Sequence, residues 1–108
     1  YADVPTAVGG DDSAPDPDDY FDIALGTCKA ITVQMYAKRK QWPLEGITVK
    51  VQRDDSEERK GVYKLDVTLE LHGISDPEQR AKLEDISHRC PIQRLMTQAT
   101  IEIATHTA

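Results

Sequence analysis

Ten consecutive residues, Tyr63 to His72, alternate without a break. Tyr63, Leu65, Val67, Leu69 and Leu71 face one way, and Lys64, Asp66, Thr68, Glu70 and His72 the other. A period of two is the pleat of a strand with one apolar and one wet face. Such a strand needs a partner for its backbone and a cover for its apolar side. The partner is close by: Ile47, Val49 and Val51 alternate with Thr48, Lys50 and Gln52, and the charged loop Asp54–Lys60 lies between the runs. The pattern predicts an antiparallel hairpin.

Two helices are expected to cover it. The first begins near Asp18, after Pro17, and runs to about Lys40. Asp18, Asp19 and Asp22 suit the positive end of its dipole; Lys38, Arg39 and Lys40 suit the negative end. Phe21, Ala24, Leu25, Cys28, Ile31 and Met35 read as its buried face, with Asp22, Lys29 and Lys40 on the opposite side. Ile23 and Val33 widen the apolar arc. Trp42-Pro43-Leu44-Glu45-Gly46 ends the helix, because proline cannot continue it. Ser75-Asp76-Pro77-Glu78 reads as a capping box opening the second helix. Leu83, Ile86 and Cys90 then face the core, and Pro91 bends or restarts the helix before Ile92, Leu95 and Met96. Ile101 and Ile103, alternating with Glu102, suggest a last strand. The order helix, strand, strand, helix, strand is an α+β fold in which two main helices cover one antiparallel sheet. The first helix is apolar over too wide an arc for that cover, which predicts a homodimer.

The 108 residues are expected to form a single domain, 1–108, with Tyr1–Pro17 as a surface loop. Seven of the 19 acidic residues lie between Tyr1 and Thr27, where there is no Lys or Arg. All 13 basic residues follow, without forming a stripe, so neither nucleic acid nor an anionic membrane surface is an expected partner. No apolar run has membrane-spanning length and no signal-peptide pattern is present. Together with only two cysteines, this favours a cytoplasmic protein whose thiols stay reduced.

Cys28 and Cys90 are the candidate chemistry. They stand 62 positions apart (90 − 28), which is neither a redox CxxC nor half of a zinc ribbon. Buried cysteines are commonly small hydrophobes. Two of them on core-facing helix positions could also meet as a reversible redox pair. The residues alone leave both readings open. His72, His88 and His106 lack metal-ligand spacing, and Ser75 and Ser87 lack a patterned base, so neither a metal site nor a hydrolase is expected.

The run Leu25-Gly26-Thr27-Cys28-Lys29-Ala30-Ile31-Thr32, followed by Met35-Tyr36-Ala37 and Lys40-Gln41-Trp42-Pro43-Leu44-Glu45-Gly46, resembles the central helix of the OsmC/Ohr family. These are the osmotically inducible and organic-hydroperoxide-resistance proteins. His88-Arg89-Cys90-Pro91-Ile92-Gln93-Arg94 resembles the family's second cysteine motif, and Gly9-Gly10-Asp11 and Pro15–Tyr20 its lead into the helix. The resemblance covers essentially the whole chain and implies an intertwined homodimer acting as a thiol peroxidase. Cys28 would attack an organic hydroperoxide and become a sulfenic acid, Cys90 would resolve it, and a lipoyl-type dithiol would reduce the disulfide. No cofactor is implied. The apolar neighbours Ala24, Leu25, Ile31 and Met35 suit an alkyl-chain substrate.

The family also uses an arginine that holds the thiolate and a carboxylate that positions it. The carboxylate position, ten residues before the first cysteine, is Asp18 here, where the peroxidases carry Glu. Asp18 reads equally as a helix N-terminal charge. The family's arginine comes from a strand upstream of the Gly-Gly segment, and a chain starting at Tyr1 is expected to lack those N-terminal strands. The alternative is a non-enzymatic redox-sensing or apolar-ligand-binding protein with inactive thiols.

Overall fold

A computed structural model of the chain describes residues 16–108; the Gly9-Gly10 segment and most of the expected N-terminal loop lie outside the described residues. In chain order come α1 (Pro17–Arg39), β1 (Gly46–Asp54), a 3-10 turn (Glu58–Lys60), β2 (Lys64–His72), α2 (Pro77–Ser87) and α3 (Pro91–Gln98). The described fold is α+β, with three helices and one two-stranded antiparallel sheet.

The hairpin forms as its alternation requires. Ile47 pairs with Leu71, Val49 with Leu69, Val51 with Val67 and Arg53 with Leu65, so one face is apolar except at its Arg53 end. The other face carries Lys50 and Glu70, whose charges meet at 2.8 Å. Helix α1 lies across the apolar face with Gly26 close against it: a Cβ there would stand 3.1 Å from Val51 Cγ2, so even an alanine would need the valine to give by a few tenths of an ångström.

Both ends of α1 are closed by local chemistry. The Asp16 carboxylate accepts from the Asp19 N–H at 2.8 Å, and the Asp19 carboxylate accepts from the Asp16 N–H at 3.0 Å. This is a reciprocal capping box in front of Pro17 at the first helical position. At the far end the Trp42 N–H reaches back to the Ala37 carbonyl and the Gln41 N–H to that of Lys38. That is a Schellman motif, in which Gln41 takes the left-handed conformation (φ 59°) usually given to glycine. The Trp42 ring packs edge-on against Tyr36 at 5.5 Å, which seals the motif, and Pro43 prevents the helix from continuing.

Four expectations need correction. The inward face of α1 carries Asp22, Leu25, Gly26, Lys29, Val33 and Ala37, whereas Phe21, Ile31 and Met35 are largely exposed. Asp22 and Lys29 stand seven residues apart, two helical turns, and so share the inward face rather than opposing it. The cap of α2 is Asp76, not Ser75: its carboxylate accepts from the Glu78 N–H at 3.0 Å. With Asp76 as the cap, the third helical residue is Gln79, so the expected box has no glutamate to close it. The expected third strand is absent, since residues 99–108 have no regular structure and Ile101 and Ile103 are exposed. Three alternating residues with no partner strand cannot make a ladder. The apolar arc of α1 is nonetheless wide: Met35 is 67 % exposed and Ile31 50 %.

The core lies between α1 and α2 at the Trp42 end, where Val33, Ala37, Ile74 and Leu83 are buried among Tyr36, Trp42, Leu44, Ile47 and Leu71. Ile86 and Cys90 are also buried. Among the described residues no helix is long and apolar enough to cross a membrane.

Candidate active site

The site is made where α1 meets the turn between α2 and α3. Helix α2 ends at Ser87, and Pro91 starts α3, so Cys90 becomes the N-cap residue of α3 with extended backbone. Pro91 supplies no N–H and is well placed at a first helical position, while the next amides, Ile92 and Gln93, have no partner within the helix and are left for the thiols. A helix start directed at a cysteine sulfur favours the thiolate. The sequence signal for this arrangement was the Cys-Pro pair, which permitted either a bend or a restart; the structure makes it a restart.

Cys28 projects from the middle of α1 and is half-buried, whereas Cys90 is 1 % exposed. The two thiols are unbridged, and each bears on the other's ionisation. Burial pushes the Cys28 thiol up. The Cys90 side chain, the Ile92 amide, the Thr32 hydroxyl and the charge of Lys29 outweigh it, and the thiol ionises below its ordinary range. Cys90 moves the other way. Burial and the hydrogen bond to Cys28 raise it, only partly countered by the Gln93 and Ile92 amides.

Lys29, read from sequence as a solvent-side charge, is 4 % exposed. Its Nζ donates to the Ser87 carbonyl at 2.9 Å and to Gln93 Oε1. It therefore spans from α1 to the last residue of α2 and to the first turn of α3, on either side of Cys90. Burial lowers the Lys29 amine below its usual range, against the pull of Cys90 and Cys28. Lys29, Thr32, Gln93 and the Ile92 amide were all missed as site groups. The spacing of Lys29 from Asp22 was the available signal for the lysine.

A cavity of about 550 Å³ opens between α1, β2 and α3 and reaches Lys29, the residue after Cys28. Phe21, Leu25, Tyr63, Leu65, Val67 and Met96 give it apolar walls, and Lys29, Gln93 and His88 form its polar part. Cys28 is not in the wall itself; its neighbour Lys29 is.

Asp18 is placed elsewhere. It sits in the first turn of the continuous helix α1, about 15 Å along the axis from Cys28. Its carboxylate gathers with those of Asp55 and Glu58, with oxygens within 4.8 Å of one another. Close by, Arg53 is held by Asp19 at 2.9 Å and Asp22 at 3.0 Å, with Asp16 and Asp55 at 3.8 Å. The Tyr63 hydroxyl donates to Asp22 at 2.7 Å. This network fastens α1 to the hairpin. Among the described residues the histidines join no metal-ligating group.

Residues 10–106 match the sequence model of the OsmC-like protein family. No curated protein matches the chain. Among solved structures, a protein of Psychrobacter arcticus described as an osmotic stress induced and detoxification response protein superposes with a TM-score of 0.73 at 15 % identity. That match covers 86 % of this chain and 68 % of the other. An organic hydroperoxide resistance protein of Legionella pneumophila gives 0.61 at 22 % identity, over 89 % of this chain and 72 % of its own. An organic hydroperoxide resistance protein of Elizabethkingia anophelis gives 0.62 at 22 % identity, over 88 % and 70 %. At these identities the likeness is one of fold.

Proposed function

The chain belongs to the OsmC-like protein family, and from that premise we propose that it is a two-cysteine peroxidase for organic hydroperoxides. The observation that carries the reading is the asymmetry of the thiol pair: Cys28 is half-exposed and eased toward thiolate, and Cys90 is buried against it and held as thiol. One group is set up to attack and the other to resolve.

The Cys28 thiolate attacks one oxygen of the hydroperoxide. A sulfur–oxygen bond forms, the O–O bond breaks, and the alkoxide leaves, taking a proton to become the alcohol. The Cys28 sulfenic acid then condenses with the Cys90 thiol, forming the disulfide and releasing water. A dithiol of lipoyl type restores both thiols and is itself oxidised to its disulfide. Sulfur carries the chemistry, and the reading calls for no cofactor. The apolar cavity with its Lys29 end supports an alkyl or aryl hydroperoxide over hydrogen peroxide, since a small polar oxidant gains nothing from Phe21, Leu25 and Met96.

The same reading takes a second copy of the chain over the exposed side of α1, where Ile31 and Met35 stand bare. Asp18 enters the chemistry only through such a partner, because its own helix holds it away from Cys28. Light scattering at micromolar concentration checks the pairing; a monomer mass that persists as concentration rises refutes it.

The decisive assay follows cumene hydroperoxide consumption with dihydrolipoamide. Turnover is expected for the native protein and none for Cys28→Ser. One equivalent of oxidant should leave Cys90→Ser with a trappable sulfenic acid at Cys28. Two free thiols surviving stoichiometric hydroperoxide would end the reading. Disulfide formation without turnover would favour a redox sensor instead.

A further inference from the structure

We infer that Lys29 is the positioning cation of this site: its buried ammonium is the counter-ion of the Cys28 thiolate and, through Ser87 and Gln93, pins the turn that carries Cys90. A charge this deeply buried needs a partner of opposite sign or a large compensating set of hydrogen bonds. Lys29 has neither in the reduced, neutral site. Its two acceptors, the Ser87 carbonyl and the Gln93 side-chain oxygen, are uncharged, and among the described residues no carboxylate pairs with it. An ammonium has three donors, so one hydrogen remains for a third partner.

The groups facing Lys29 narrow that partner. Its own helix presents Cys28. The α2–α3 turn presents Cys90, whose environment holds it as thiol, and His88, which lines the cavity with Lys29. Strand β2 presents only apolar side chains to that cavity. On the α2 side a second cavity of about 720 Å³ includes Lys29 together with Arg80 and Glu84, residues exposed to solvent. The anion left within the buried site is a thiolate of the Cys90–Cys28 pair, and Cys28, half-exposed and next in sequence to Lys29, is the one of the two open to a reagent from solvent. Among the described arginines, Arg53 is held by its carboxylates, Arg80 by the Leu71 and Ile74 carbonyls and Arg89 by Asp85, while Arg94 on α3 is exposed to solvent rather than buried as Lys29 is. Lys29 thus supplies, from the residue next to the attacking cysteine, the positive charge that such a thiolate requires.

The inference rests on the peroxidase reading only in naming Cys28 as the attacking sulfur, and its test uses no peroxide. The alkylation rate of Cys28 by iodoacetamide is measured against pH, with mass spectrometry assigning the site. Lys29→Met, neutral and of similar length, is expected to slow Cys28 alkylation near pH 6.5 by about tenfold or more, as for loss of an adjacent opposite charge. Above pH 10, where both proteins are ionised, the rates should coincide. A merely structural lysine would lower both plateaus or neither. An unchanged pH profile in folded Lys29→Met overturns the inference while leaving peroxidase activity free to be found.

Should Lys29→Met not fold, the reciprocal effect is read in the native lysine. Coupling works both ways, so Cys28→Ser must lower the pKa of the Lys29 amine, followed by NMR of nitrogen-labelled lysine. A Lys29 titration indifferent to Cys28→Ser overturns the inference equally. A shifted thiol profile with no peroxide turnover would instead keep the cation and remove the peroxidase.

Discussion

Oxidation of Cys28 and Cys90 should stabilise the protein, by an amount that follows from where the two residues sit. A bridge between them closes a loop of about 62 residues, for which the chain-entropy expression gives about 4 kcal/mol at 25 °C. The elements that carry the thiols are already packed together, with Lys29 tying α1 to residues on either side of Cys90, so little of this is lost in drawing them together. One cost is built in. The disulfide removes the thiolate beside Lys29, leaving a buried ammonium on neutral acceptors, a penalty of about 1–2 kcal/mol given that the amine can shed its proton. The net gain is about 2–3 kcal/mol, or a melting temperature raised by roughly 10–20 °C for a domain of this size. Calorimetry on the fully reduced protein and on protein oxidised with one equivalent of cumene hydroperoxide, at one protein concentration, measures it; alkylation and mass confirm zero free thiols. In Lys29→Met the gain should rise toward the full 4 kcal/mol. An oxidised, thiol-free protein that melts at or below the reduced one would refute the reasoning, since the bridge would then require the turn between α2 and α3 to come apart.

Three other perturbations address the frame around the site. Asp22→Ala removes the acceptor of the Tyr63 hydroxyl and one of the two close carboxylates on Arg53; with Asp19 still in place the loss should be about 2 kcal/mol in urea unfolding. The same variant should bring down the ionisation of Tyr63, which burial and the bond to Asp22 hold well above the ordinary range, and ultraviolet titration will register it. Gln41→Gly relieves a left-handed residue at the end of α1 and should add about 0.5–1 kcal/mol; no gain in thermal midpoint would mean that the Gln41 conformation carries no strain. The Asp16 amide, then the charge of Arg53, hold the Asp19 carboxyl below its usual value against some burial, so its contribution is complete at neutral pH and is lost as acid takes the pH down through its folded-state value. Asp19→Asn should flatten the acid limb of the stability profile below about pH 4, and an unchanged limb would count against the capping box.

The hairpin and the span of α1 were legible because each is written twice. Strands β1 and β2 each carry the alternation, and their register then matches apolar to apolar. Helix α1 is bounded by acid and proline at one end and by Trp42-Pro43 at the other. Its inward face was misread for a physical reason. Periodicity arguments sort residues by hydrophobicity, and α1 spends two inward positions on charges, Asp22 and Lys29, that are satisfied only by residues distant in sequence: Arg53, Tyr63, Ser87 and Gln93. Nothing local announces such partners. Ile101 and Ile103 failed in the opposite way, offering local alternation with no partner strand. Cys90 was placed correctly in the core, but its part in the helix start that faces Cys28 depended on how the chain resolves Pro91.

The two inward charges also bear on why α1 suits the proposed attacking sulfur. Asp22 fixes the helix to the hairpin and Lys29 fixes it to the α2–α3 turn, with Leu25 and Gly26 packed between them. Cys28 lies one residue off that anchored face, so it cannot be fully buried, yet its backbone is held from both sides. An attacking thiolate needs this combination of access for the peroxide and a fixed approach. Cys90 is held differently: its side chain is enclosed, but its backbone is the join between two short helices. In the proposed mechanism the resolving sulfur reacts only after the sulfenic acid forms, and a side chain at a helix junction pinned beside α1 needs only a small adjustment to reach it. The exposures and opposite pKa directions of the pair thus support the proposed order of events, attack at α1 and resolution from the junction.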